Sequence, residues 1–127
     1  MSYLPPTFEL VQEDPGPDTR VIAVRGEIHL STAPELERAL SAAQAEGKSY
    51  VVVDTTEVMF IDSTGLGALL RALRELGQRG GRLALVVSNP TVLRLFVITG
   101  TDATFEIFPT RDAALAEPPE PEVAEPP

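Results

Sequence analysis

The run Asp62-Ser63-Thr64-Gly65-Leu66-Gly67 holds the side chains best suited to chemistry. Two hydroxyls follow a carboxylate, between the apolar stretch Met59-Phe60-Ile61 and a leucine-rich segment of helical spacing. Asp62 and Ser63 therefore stand at a helix N-terminus, where backbone N–H groups are unpaired. Ser63 reads as the N-cap, with Leu66 N–H as its partner. Gly65 puts no side chain into the first turn, so another molecule has room to approach the backbone there. Gly67 inside the helix costs roughly 1 kcal/mol against alanine. Something else must favour it, either tight helix–sheet packing or access for a partner.

Catalysis by Ser63 lacks its usual supports. Gly-x-Ser-x-Gly is absent around it. His29 is the only histidine and lies far away in sequence, and one His with one Ser makes a weak triad. There is no Walker loop and no Gly-x-Gly-x-x-Gly. The chain has no Cys, which removes disulfides, thiolate metal sites and a cysteine nucleophile. A single His removes a His-rich metal site. The expectation is a protein that is not an enzyme and needs neither cofactor nor metal.

Nineteen Asp+Glu stand against ten Lys+Arg, a formal charge of -9 over 127 residues. A field of that sign repels phosphate backbones and anionic lipid, so neither nucleic acid nor membrane is an expected partner. The start has no basic n-region, and no run nears the roughly 18 apolar residues of a membrane span. The cytoplasm is the expected location. The length suits one domain, expected over residues 1–116. Residues 117–127, EPPEPEVAEPP, hold five Pro and four of the acidic residues. With almost nothing to bury, they are expected to form a disordered acidic tail.

The elements that must position Ser63 follow from periodicity. Thr7 to Glu13 alternates in part and reads as an edge strand; Asp14 to Asp18 is a turn. Val21 to Val24, ending at Gly26, reads as the hairpin partner. Thr32 and Glu35 fit a capping box, with Leu36, Ala39, Leu40 and Ala43 on one face of a helix ending near Gly47. Tyr50 to Val53, ending in Asp54, is a short apolar run suited to a central buried strand. After Ser63, Leu66, Leu69, Leu70, Leu73 and Leu76 mark one helix face, stopped by Gly80 and Gly81. Arg71 and Arg74 fall off that face, as solvated charges or as groups for an acidic partner. Leu83 to Val87 is another strand. Asn89 and Pro90 open a third helix that Gly100 closes. Thr104 to Phe108 is a last strand, and Arg111 to Ala116 a terminal turn or two of helix. The order ββαβαβαβ(α) predicts an α/β fold with a mixed, mostly parallel sheet and an N-terminal β-hairpin at one edge.

Four segments in this order resemble the anti-sigma factor antagonists, the bacterial branch of the STAS domains. They are Gly26-Glu27-Ile28 before Ala33-Pro34-Glu35-Leu36; Val51-Val52-Val53-Asp54; Phe60-Ile61-Asp62-Ser63-Thr64-Gly65-Leu66-Gly67; and Leu93-Arg94-Leu95-Phe96 with Thr99-Gly100. The resemblance spans about Phe8 to Phe108. It implies a regulator of sigma-factor-dependent transcription, of the kind used in stress responses, that works by partner switching. Unphosphorylated antagonist binds an anti-sigma factor, itself a serine kinase, and frees the sigma factor. Phosphorylation of the serine after the aspartate, here Ser63, releases it, and a serine phosphatase restores it. Thr64 is the alternative acceptor.

The resemblance also implies a partner surface of Gly26, Glu27 and His29 with Asp62, Ser63, Thr64, Gly65, Leu66 and Gly67. The exposed face of the following helix extends it, and the free chain is expected to be a monomer. The sequence departs from the family at His29, where aspartate is common. As a surface loop residue, His29 changes that face. Val97 replaces a frequent acidic residue and reads as core or contact. The alternative reading is a STAS scaffold subunit of a signalling or transport assembly without sigma-factor control.

Overall fold

The computed structural model describes residues 8–116. Thr7, with which the expected first strand begins, and the expected tail at 117–127 lie outside the described residues. Five strands and four α-helices follow in the expected order: β1 (Glu9–Gly16), β2 (Thr19–Ile28), α1 (Ala33–Ala45), β3 (Tyr50–Ile61), α2 (Ser63–Gln78), β4 (Arg82–Val86), α3 (Pro90–Thr99), β5 (Glu106–Phe108) and α4 (Arg111–Ala116). A 3-10 turn, Thr101–Ala103, joins α3 to β5. The sheet runs β1-β2-β3-β4-β5 in space. The β1–β2 hairpin is antiparallel and every other pair is parallel.

Alternation along the central strands feeds two layers. Ile22, Val24, Val51, Val53, Leu83 and Leu85 face one side, against Leu36 and Leu40 of α1, Leu69 and Leu76 of α2 and Phe96 of α3. Phe96 meets Phe105 edge to face at 5.6 Å between centroids. Val21, Tyr50, Val52, Ala84 and Val86 face the other side, under Ala114 of α4. Two polar contacts pin α4 there. Tyr50 Oη donates to Ala114 O at 2.8 Å, and Arg111 bridges Asp54 and Glu13 at 2.9 Å each. Burial pushes the Asp54 carboxyl up. Hydrogen bonds from Thr56 and Arg111, with the Arg111 charge, outweigh it and hold the group below the usual carboxylate range.

Five local expectations need correction. The hairpin strands run on through Asp14-Pro15-Gly16, past a register shift between Glu13 and Gly16, so the turn is shorter than Asp14 to Asp18. Strand β2 does not end at Gly26 but at Ile28, and β3 continues seven residues past Asp54 to Ile61. The reason is bulging. Against β2, β3 carries one extra residue between Asp54 and Glu57 and another between Val58 and Phe60. Each insertion turns the strand, so the buried residues of its second half are Thr55, Val58 and Ile61, a spacing of three that hides a strand. Gly26 sits opposite the second bulge with φ 106, a backbone conformation that other residues rarely adopt.

Thr32 is not half of a capping box. Its backbone is already near-helical, and its side chain makes no cap bond. Thr32 Oγ1 instead donates to Glu27 O at 2.7 Å and accepts from His29 N–H at 2.9 Å. The expected last strand also loses Thr104 and Phe105, leaving Glu106 to Phe108.

Candidate functional site

The bulged end of β3 delivers Asp62 beside the end of β2, where Asp62 N–H donates to Ile28 O at 3.1 Å. Asp62 is extended, and its Oδ1 accepts from Gly65 N–H at 3.0 Å. Asp62 O accepts from Leu66 N–H at 3.0 Å. Asp62 is therefore the N-cap of α2 and Ser63 its first helical residue, which corrects the cap assignment from sequence. Ser63 is exposed, and among the described residues no hydrogen bond holds its hydroxyl.

The two glycines of the run play opposite parts. A Cβ on Gly65 would stand 2.6 Å from Ile28 Cγ2 and 2.9 Å from Ile61 Cγ1. Gly65 is thus where α2 rests on the ends of two strands. A Cβ on Gly67 would meet nothing nearer than Arg71 Nη1 at 4.0 Å. The fold makes no demand for glycine there, so helix–sheet packing does not explain Gly67.

The β2–α1 loop lies alongside, held by Thr32. His29 O accepts from Thr32 N–H and Ala33 N–H, the first amides of α1. Ser31 N–H donates to His29 Nδ1 at 3.2 Å, and Nε2 lies 3.7 Å from Glu27 Oε1. With Nδ1 accepting, the ring proton sits on Nε2. No partner lies within hydrogen-bond distance of that donor among the described residues.

The structure sorts the expected contact residues. Glu27, His29, Asp62, Thr64 and Gly67 are partly exposed and Ser63 is exposed, whereas Gly26, Gly65 and Leu66 are buried and shape the surface from beneath. Arg71 pairs with Glu37 of α1, and Arg74 is a solvated charge on the outer side of α2. Val97 is 54% exposed and so not core. Leu93 and Ile98 of α3 also face solvent.

Sequence reasoning passed over Leu30, 73% exposed in the β2–α1 loop, and treated Met59 and Phe60 as part of an apolar stretch, though both are exposed. The signal for Leu30 was a large apolar residue between His29 and Ser31 in a polar turn. These three side chains flank the Ser63 run with uncovered apolar surface. Among the described residues no group of three His, Cys, Asp or Glu is placed to hold a metal, and no helix is long and apolar enough to cross a membrane.

Known proteins resemble this chain in sequence and in fold. The anti-sigma-B factor antagonist of Listeria monocytogenes is 41% identical over 86 residues, which is 68% of this chain and 75% of that protein. A crystal structure of an anti-sigma factor antagonist from Mycobacterium paratuberculosis superimposes with TM-score 0.79 at 35% identity, covering 87% of this chain and 92% of that one. The Bacillus antagonist SpoIIAA matches in its unphosphorylated form with TM-score 0.72 at 27% identity, over 86% of this chain and 93% of that one. Its phosphorylated form gives 0.67 at 26%, over 87% and 97%. The STAS domain model itself matches residues 10–114, and the chain belongs to that family.

Proposed function

We propose that this protein is an anti-sigma factor antagonist whose switch is the Ser63 hydroxyl. Unmodified, it binds an anti-sigma factor with serine kinase activity and so frees a sigma factor. Phosphorylated on Ser63, it lets go, and a phosphatase resets it. It acts as a cytoplasmic binding protein, monomeric when free, and Ser63 accepts phosphate from the kinase rather than serving as the catalytic nucleophile of an enzyme. The observation that carries this reading is that Ser63 is spare to its own fold. Asp62 caps α2, and the serine hydroxyl is exposed without a partner among the described residues.

Electrostatics supply the switch. A phosphate adds nearly two negative charges at neutral pH. It would sit beside Asp62, on a chain of formal charge -9. Against a partner carboxylate about 5 Å away, each charge pair costs about 3 kcal/mol at an effective dielectric of 20. Since about 1.4 kcal/mol is tenfold in affinity, one phosphate suffices for a hundredfold loss of binding. The N-terminus of the 16-residue α2 offsets part of the phosphate's cost to the fold.

Affinity capture from the native cell with Ser63→Ala and Ser63→Asp baits tests the reading. It expects an ATP-dependent serine kinase that the alanine bait retains and the aspartate bait loses. Equal capture by both baits, or only transporter or sensor subunits on both, contradicts it.

A further inference from the structure

We infer that His29 is the residue that holds the phosphate on Ser63. The inference rests on the reading of Ser63 as the acceptor and adds the group that receives the modification.

The Asp62 N–H to Ile28 O bond at 3.1 Å sets the end of β2 beside the start of α2. His29 follows Ile28 and Ser63 follows Asp62, so each is one residue beyond that bond on its own segment. The imidazole is oriented in advance, because Ser31 N–H occupies Nδ1 and leaves the proton on Nε2. That donor is 3.7 Å from Glu27 Oε1, too far for a hydrogen bond, and the side chain is one-third exposed. It is an unspent donor at the rim of the site.

Beyond the start of α2, no unpaired cationic side chain among the described residues stands in the turns next to it. Glu27 on β2, Asp62 at the start of α2 and Glu35 in the first turn of α1 are all acidic. Arg25 of β2 is engaged by Glu9 and Glu57, and Arg71 of α2 by Glu37. Arg38 lies in the second turn of α1 and Arg74 in the third turn of α2, farther from that end. A phosphate on Ser63 therefore meets carboxylates, the backbone amides at the start of α2 and one unengaged side-chain N–H donor, His29 Nε2. Turning from Glu27 to a phosphate oxygen exchanges a long contact for a charge-assisted hydrogen bond.

Phosphoserine installed genetically at position 63 tests this without any kinase, by 31P NMR titration of its second ionisation, which is near pH 6 for a free phosphoserine. Replacing His29 by alanine is expected to raise the midpoint by about half a unit, roughly threefold, because the dianion loses its donor. His29→Arg is expected to bring it to or below the unsubstituted value. The bonds with Thr32 and Ala33 use the His29 main chain and only the Ser31 N–H contact goes with the ring, so circular dichroism is expected to match in all three chains. Equal midpoints in the three folded chains overturn the inference. A kinase that ignores Ser63 would overturn the acceptor reading instead and leave this titration unchanged.

Discussion

Gly65 rests on Ile28 so closely that a single added carbon would stand 2.6 Å from Ile28 Cγ2. That contact, with the Asp62 amide on the Ile28 carbonyl, fixes the first turn of α2 over the end of β2. It brings the β2–α1 loop and the Ser63 run into one surface. The serine is presented by packing beneath it rather than by bonds of its own.

Gly65→Ala is expected to destabilise the protein by about 2 kcal/mol, since the extra methyl overpacks a site lined by Ile28 and Ile61. Urea unfolding checks this as a lower midpoint with an unchanged slope. A variant as stable as the parent would mean that α2 does not sit on β2 this tightly.

Gly67→Ala is expected to do the opposite. The position is open, so alanine gains helix propensity of about 1 kcal/mol and raises the melting temperature by about 4 °C. The same methyl stands on the surface assigned to the partner, and affinity for the captured kinase is expected to fall. Stabilisation without loss of binding would remove Gly67 from the interface.

Capping separates Asp62 from Ser63. Asp62→Ala loses the bond to Gly65 N–H and is expected to cost about 1 kcal/mol. Ser63→Ala removes no contact among the described residues and is expected to stay within about 0.5 kcal/mol of the parent. Thermal melts of both variants decide between this arrangement and a serine cap.

Acid sensitivity is expected to come from α4 and the hairpin. Asp54 is held below the usual carboxylate range, and the Arg20 hydrogen bond, with Lys48, lowers Asp14 to about 2 against burial. Groups with depressed folded values contribute stability that is complete above their unfolded values, near pH 4, and is lost as pH falls through the folded ones. Stability is thus expected to decline below about pH 4 toward pH 2. Arg111→Ala leaves Asp54 buried without its cation and is expected to cost about 2 kcal/mol at neutral pH. It is also expected to flatten the acid slope. An unchanged slope in that variant would mean that the ion pair does not set it.

Element order and helix ends were legible because their signals are local. Asn89 caps α3 through Thr91 N–H, Pro90 opens it and Gly100 closes it with φ 76, each readable from residue type alone. The second half of β3 was not legible, because two bulges replace the period of two with three. Thr32 and Ser63 had the composition of caps, but the adjacent geometry decided otherwise. Thr32 turns back to Glu27 O, and Asp62, one residue earlier, is already extended and reaches Gly65. The helix start that presents Ser63 was visible in Asp62-Ser63-Thr64-Gly65-Leu66-Gly67. The division of Gly65 from Gly67 required knowing what each would touch.

The most direct measurement is intact-mass analysis of the protein from its native cell, growing and stressed, with fragmentation across the Asp62–Gly67 peptide and a Ser63→Ala control. The account predicts one phosphate on Ser63 whose occupancy changes between the two states and which the control lacks. Unmodified protein in both states, or phosphate on Thr64 alone, would contradict it.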